Sequence, residues 1–127
     1  MIYQFNKHYT RDEARALLPQ IRQWLEQLDQ LRRQLQSWDQ RLSALMEAGN
    51  DTGGDLVNRW VRAIVETREL LEEFHEREIL IKDVERGLVD FPAVIGGKEV
   101  FLCWEKDEED IEFWHDLDTG YAGREKL

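Results

Sequence analysis

The sequence predicts an α+β fold in which a long antiparallel helical hairpin, coiled-coil-like, is followed by a small antiparallel β-sheet. Three observations predict it. Apolar residues recur at heptad spacing from Ala14 to Leu45 and again from Val57 to Phe74. Glycines among polar residues separate these two stretches. Beyond Ile79 the period shortens to the alternation of strands, centred on the pair Gly96-Gly97. A chain of 127 residues has material for one core. Residues 1–127 therefore read as one domain, with the hairpin over 10–78 and the sheet and tail over 79–127.

The first helix opens at Thr10. The run Thr10-Arg11-Asp12-Glu13 fits a capping box, in which Thr10 accepts from the Glu13 amide and Glu13 reaches back. With Ala14 as position a, the a/d pairs are Ala14/Leu17, Ile21/Trp24, Leu28/Leu31, Leu35/Trp38 and Leu42/Leu45. Glutamines and charges fill the other face. Pro19 cannot donate to the Arg15 carbonyl, so a bend is expected there, with the helix resuming beyond it. Residues 11–47 would span about 55 Å at the helical rise.

The segment from Ala48 to Asp55 holds three glycines and is the clearest break in the chain. Asp55 is the expected N-cap of the second helix. Its seam reads Val57/Trp60, Ile64/Thr67 and Leu71/Phe74, widened by Val61. So short a connection makes the helices antiparallel. Their apolar stripe, flanked by Leu18 and Leu25, is wide for a two-helix contact. Two partners could cover it: the sheet of the same chain, or a second hairpin in a four-helix bundle. A homodimer is the expected state.

In the sheet, Ile79-Leu80-Ile81 is a short apolar run, and Lys82 to Gly87 is a polar turn. Leu88 to Ile95 and Lys98 to Glu105 flank Gly96-Gly97, a two-residue hairpin turn that pairs Ile95 with Lys98. One face then carries Ala93–Val100, Phe91–Leu102 and Val89–Trp104. The other carries Val94–Glu99, Pro92–Phe101, Asp90–Cys103 and Leu88–Glu105. The clean apolar face supports this register. Pro92 is expected on an edge or at a bulge. The next strand is Ile111 to His115. In the register adopted, Trp104 pairs with Ile111, Leu102 with Phe113 and Val100 with His115, so Asp90, Cys103 and Glu112 form a row. A shift of one residue brings His115 to Asp90 and Cys103 instead.

The charge is strongly acidic and uneven. The chain has 17 basic and 27 acidic residues, for a net charge of −10. Residues 79–127 alone hold 6 basic against 13 acidic residues. Such a surface repels phosphate backbones and anionic lipid, so neither nucleic acid nor membrane is expected as a partner. Cys103 is the only cysteine, which excludes an internal disulfide and a multi-cysteine zinc site. The start, MIYQFNKHYT, lacks the apolar region of a signal peptide, and no stretch approaches the roughly 20 apolar residues of a membrane span. The expected location is cytoplasmic.

Several motifs in the C-terminal half carry a resemblance. Lys82-Asp83, Gly-Leu-Val-Asp-Phe-Pro (87–92), Leu-Cys-Trp (102–104), Trp-His-Asp (114–116) and Gly-Tyr-Ala-Gly-Arg (120–124), with the opening Tyr-Thr-Arg-Asp-Glu-Ala-Arg-Ala-Leu-Leu-Pro (9–19), resemble a prokaryotic family. That family is catalogued as domain of unknown function 2203. Where it has Gly-Glu after Leu-Cys-Trp, this chain has Asp107-Glu108. The resemblance implies no activity.

The candidate polar site comprises Asp90, Cys103, Glu112, His115 and Arg124. A nucleophilic thiol needs a nearby cation or histidine, whereas Asp90 and Glu112 beside Cys103 would raise its pKa. A small, half-buried structural cysteine is the simpler expectation. His115 with Asp90, Glu108 or Glu112 has the chemistry of a divalent-metal site but lacks any zinc-binding spacing, and no metal or cofactor is expected. His75-Glu76 is not followed by the second histidine of a zinc-protease motif. Residues 107–110 read as a solvated acidic loop, without the alternation of a calcium loop. Arg124 is expected to pair with Asp90 or Glu112 and pin the tail. The leading expectation is a non-catalytic protein–protein interaction or scaffold module acting through its hairpin. The alternative is a small metal-binding protein or enzyme using the sheet site.

Overall fold

The computed structural model describes residues 2–49 and 54–127; residues 50–53 of the glycine-rich break lie outside the described residues. Two helices, α1 (Arg11–Glu47) and α2 (Asp55–Glu76), precede β1 (Leu80–Asp83), β2 (Leu88–Ile95), β3 (Lys98–Trp104), β4 (Phe113–Asp116) and β5 (Glu125–Lys126). The strands form one antiparallel sheet in the order β1-β2-β3-β4-β5. A 3₁₀ turn, Tyr121–Gly123, leads into β5.

The capping box forms: the Glu13 amide donates to Thr10 Oγ1 at 3.1 Å and the Thr10 amide donates to Glu13 Oε1 at 3.0 Å. Pro19 lies inside α1, which continues through it to Glu47. Leu18 and Ile21 on either side of the exposed proline are buried, and that packing favours the helix resuming beyond the lost amide bond.

The buried stripe of α1 is Ala14, Leu18, Ile21, Leu25, Leu28 and Leu31. It is rotated from the expected a/d seam toward a/e, leaving Leu17 and Trp24 half-buried. Two neighbours explain the rotation. Trp24 stacks edge-on against Phe74 of α2, with ring centres 5.5 Å apart. The a/e residues belong to one core cluster with Phe74 and the sheet residues Val89, Phe91, Ala93, Val100, Leu102 and Trp104. Each large apolar side chain buried there contributes about 1.5–3 kcal/mol. Beyond Leu31 no residue of α1 is fully buried among the described residues.

The start of α2 corrects one expectation. Gly54, not Asp55, is the N-cap, with φ 88°, a backbone that glycine takes without strain. Asp55 becomes the first helical residue, at the positive end of the dipole. Ala63 and Phe74 are the buried positions of α2, whereas Val61 and Leu71, assigned to the inner seam, are exposed.

The β2–β3 hairpin has the expected register from Ile95↔Lys98 to Val89↔Trp104. Gly96 and Gly97 take φ 59° and 79°, as a tight turn with two left-handed residues requires. The β2–β3 pairing stops at Val89↔Trp104, where β3 ends, so the expected Leu88–Glu105 pair is not among its partners; on the other edge of β2, Leu88 pairs with Asp83 of β1. Pro92 stands in an inner strand, yet β1 pairing ends at Asp90. The Pro92 carbonyl instead accepts from the Tyr9 amide at 2.7 Å. The proline is thus tolerated where no outer strand needs its missing donor.

The β3–β4 register is the shifted one. Phe101 pairs with His115, Leu102 with Trp114 and Cys103 with Phe113. Phe113 and Trp114 exchange faces relative to the register adopted from sequence. Ile111 is fully buried but reaches the core from the loop. The tail holds this arrangement: β5 pairs Lys126 with Phe113 and Glu125 with Trp114, and the Leu127 amide donates to the Glu112 carbonyl at 2.9 Å.

Candidate functional site

The second face of the sheet is covered by the N-terminal segment rather than open to solvent. Glu99 accepts from the amides of Gln4 (2.8 Å) and Phe5 (3.1 Å), and its carboxylate lies 2.6 Å from His8 Nε2. Phe5 packs edge-on against Phe101, which in turn packs on the His115 ring. Glu78, at the joint between α2 and β1, takes the left-handed φ of 55° and accepts from the Lys7 amide at 2.6 Å. This clasp escapes sequence reading because residues 2–8 carry no regular period.

Beneath it lie Asp90, Cys103 and His115, each no more than 2% exposed. β2, β3 and β4 each supply one of them. His115 Nε2 is 3.1 Å from both Asp90 carboxylate oxygens. Its Nδ1 faces the Asp116 carbonyl at 2.7 Å. A carbonyl only accepts, so Nδ1 carries a proton and donates it there. One ligand-type atom from each of the three residues lies within 4.8 Å of the others. Lys82 Nζ stands 4.0 Å from Asp90 Oδ2, at the rim of the group. Burial, reinforced by the Asp90 carboxylate, pushes the Cys103 thiol up to about 12, although Arg124 pulls the other way. The thiol is therefore a poor nucleophile as it stands.

Two of the five sequence candidates fall outside this group. Glu112 is exposed, because the register shift takes it off the Asp90–Cys103 row. Arg124 does not pair with Asp90 or Glu112. Its guanidinium hydrogen-bonds Glu108, lies 3.7 Å from Glu105, and stacks 3.8 Å from the Phe113 ring centre. The acidic loop is correspondingly less solvated than expected. Glu108 also accepts from the Glu105 amide at 2.8 Å, and Asp110 takes Arg15 at 2.7 and 2.9 Å, tying the loop to α1. The turn at Glu105–Glu108 closes without a glycine.

The hairpin offers a second candidate surface. Its two sides differ in chemistry. One groove, of about 590 Å³, is lined by Gln27, Gln30, Gln34, Glu66, Glu69 and Glu73 among others. The other, of about 530 Å³, is lined by Leu28, Leu35, Leu71 and Val84 together with Arg32, Gln36, Asp39, Gln40 and Thr67, and most of the surface it exposes is apolar. The Thr67 hydroxyl donates to the Ala63 carbonyl, which satisfies its donor within α2. On α2, Leu71, Val61 and Val65 are 44–47% exposed. Farther out, Trp60 Nε1 donates to Asp39 at 2.7 Å and links the helices.

No helix among the described residues is long and apolar enough to cross a membrane. Comparison with curated proteins and with solved structures yields no match. The profile of one family, described as "Uncharacterized conserved protein (DUF2203)", matches residues 7–127. With nearly the whole sequence covered, and the α+β fold in place, the chain belongs to the DUF2203 family.

Proposed function

We propose that this protein is a non-catalytic interaction module that self-associates through its helical hairpin. The reading is carried by the apolar groove of Leu28, Leu35 and Leu71, beside a helix, α2, that also exposes Val61 and Val65. An apolar groove on one side of a hairpin, with a polar groove on the other, marks a face that gains by being covered. The occupant proposed is α2 of a second copy.

Charge favours that occupant. From Asp55 to Val65, α2 carries Arg59 and Arg62 against one acid; from Glu66 to Glu76 it carries five glutamates against Arg68. A twofold axis would run the two α2 helices antiparallel, setting the basic half of each beside the acidic half of the other. The result is a four-helix arrangement with an apolar centre and paired flanks.

Sedimentation equilibrium tests this. The wild type is expected to be dimeric at tens of micromolar, and Leu71→Glu monomeric with an unchanged circular dichroism spectrum. A wild-type monomer at that concentration would remove the proposal. So would a Leu71→Glu variant that dimerises as tightly as the parent.

A further inference from the structure

We propose that Asp90, Cys103 and His115 form a binding site for one divalent cation of borderline softness, such as zinc. The inference is independent of the hairpin. It rests on a mixed set of imidazole nitrogen, carboxylate oxygen and sulfur, brought together from three strands by the β3–β4 register.

The donor chemistry is that of zinc and its neighbours, which accept sulfur and nitrogen where calcium and magnesium take oxygen. The 3.1 Å between His115 Nε2 and each Asp90 oxygen matches neighbouring ligands about 2.0–2.2 Å from a shared ion. The orientation of the ring adds a second, separate observation. A metal-bound histidine typically donates its other N–H to a carbonyl or carboxylate, and His115 Nδ1 does so to Asp116. That bond turns Nε2 toward Asp90, and once the proton between the two leaves, its lone pair is available to the ion.

Charge balance also favours a 2+ ion. On binding, the Cys103 S–H bond breaks and the proton between His115 Nε2 and Asp90 is displaced; both protons leave to solvent, and the sulfur electron pair forms the metal–sulfur bond. Asp90 and His115 each supply a lone pair. One carboxylate, one thiolate and a neutral imidazole around a divalent cation sum to zero, which suits a site this buried. Lys82 is the cation already nearby, but its side chain is 45% exposed and free to turn toward solvent. Three protein ligands leave a fourth tetrahedral position, which water would fill.

Cobalt(II) titration of untagged, chelator-treated protein provides the test. One equivalent is expected to generate thiolate-to-cobalt charge-transfer absorption in the near ultraviolet, and one equivalent of zinc to abolish it. Cys103→Ser should lose the band, and His115→Gln should weaken cobalt binding by more than about tenfold, a loss that even an outer partner can cause. Absence of the band in wild-type protein at several equivalents of cobalt would overturn the site, whether or not the variants fold. Persistence of the band in folded Cys103→Ser would overturn it too.

Discussion

His115 Nε2 lies 3.1 Å from both carboxylate oxygens of Asp90, although the two residues sit on strands that do not pair with each other. β3 separates them, and the contact reaches across it beside Cys103. A carboxylate 1% exposed has few ways to be satisfied, so this contact is central to the second face.

The pair should behave as a coupled unit. In metal-free buffer, Asp90→Asn or His115→Gln alone is expected to destabilise the fold by about 3–5 kcal/mol, since each leaves a buried polar partner behind. The double variant should cost at least about 1 kcal/mol less than the sum. Urea denaturation of the four proteins measures this, and additive losses would refute the coupling.

Cys103 should make the metal-free protein sensitive to alkali. Its folded-state value is raised from 9.0 to about 12, chiefly by burial. Between those values the folded chain retains a proton that the unfolded chain releases, so this contribution is full below pH 9 and declines as pH rises. Cys103→Ala should flatten the fall in stability over that window. In wild type, a thiol reagent should react with Cys103 far more slowly in the folded chain than in urea.

The N-terminal clasp should loosen in acid. Burial works to raise the Glu99 value, but hydrogen bonds from His8 and from the Gln4 and Phe5 amides outweigh it and hold Glu99 below its usual 4.5. A depressed carboxylate stabilises the fold above its ordinary value and loses that contribution as pH falls through the lowered one. The amide signals of Gln4 and Phe5 should therefore shift toward disordered positions in acid. In Glu99→Gln they should be displaced already at neutral pH, with little further change on acidification.

Arg124 should resist conservative replacement. Its planar group meets Glu108 and Glu105 while stacking on Phe113 and Tyr121, which an ammonium cannot reproduce. Arg124→Lys is expected to lower stability by about 1–2 kcal/mol, close to the loss from Arg124→Ala. Thermal unfolding of both variants would decide. A lysine that restores full stability would show that charge alone suffices.

Much of the fold was legible because its signals are local. The capping box at Thr10 needs residues three apart, and the two-glycine turn aligns every pair from Ile95↔Lys98 to Val89↔Trp104. The candidate site was legible in part. Asp90 and Cys103 follow from that hairpin, whereas Glu112 and the expected partners of Arg124 did not hold. Arg124 lies far along the chain from Glu105 and Glu108, and nothing in their spacing announces that they meet.

By itself, then, the sequence determined the helical hairpin, the sheet class and the Asp90–Cys103 pairing, since each depends on short-range geometry or a strong period. Tertiary structure alone decided the β3–β4 register, and with it whether Glu112 or His115 joins the buried group. The loop before β4 is too long to set a register, and Phe113 and Trp114 offer an aromatic to either face, so the hydrophobic pattern suits both alignments. The β5 pairing and the Asp90–His115 contact, both made across distant parts of the chain, accompany the alignment that forms.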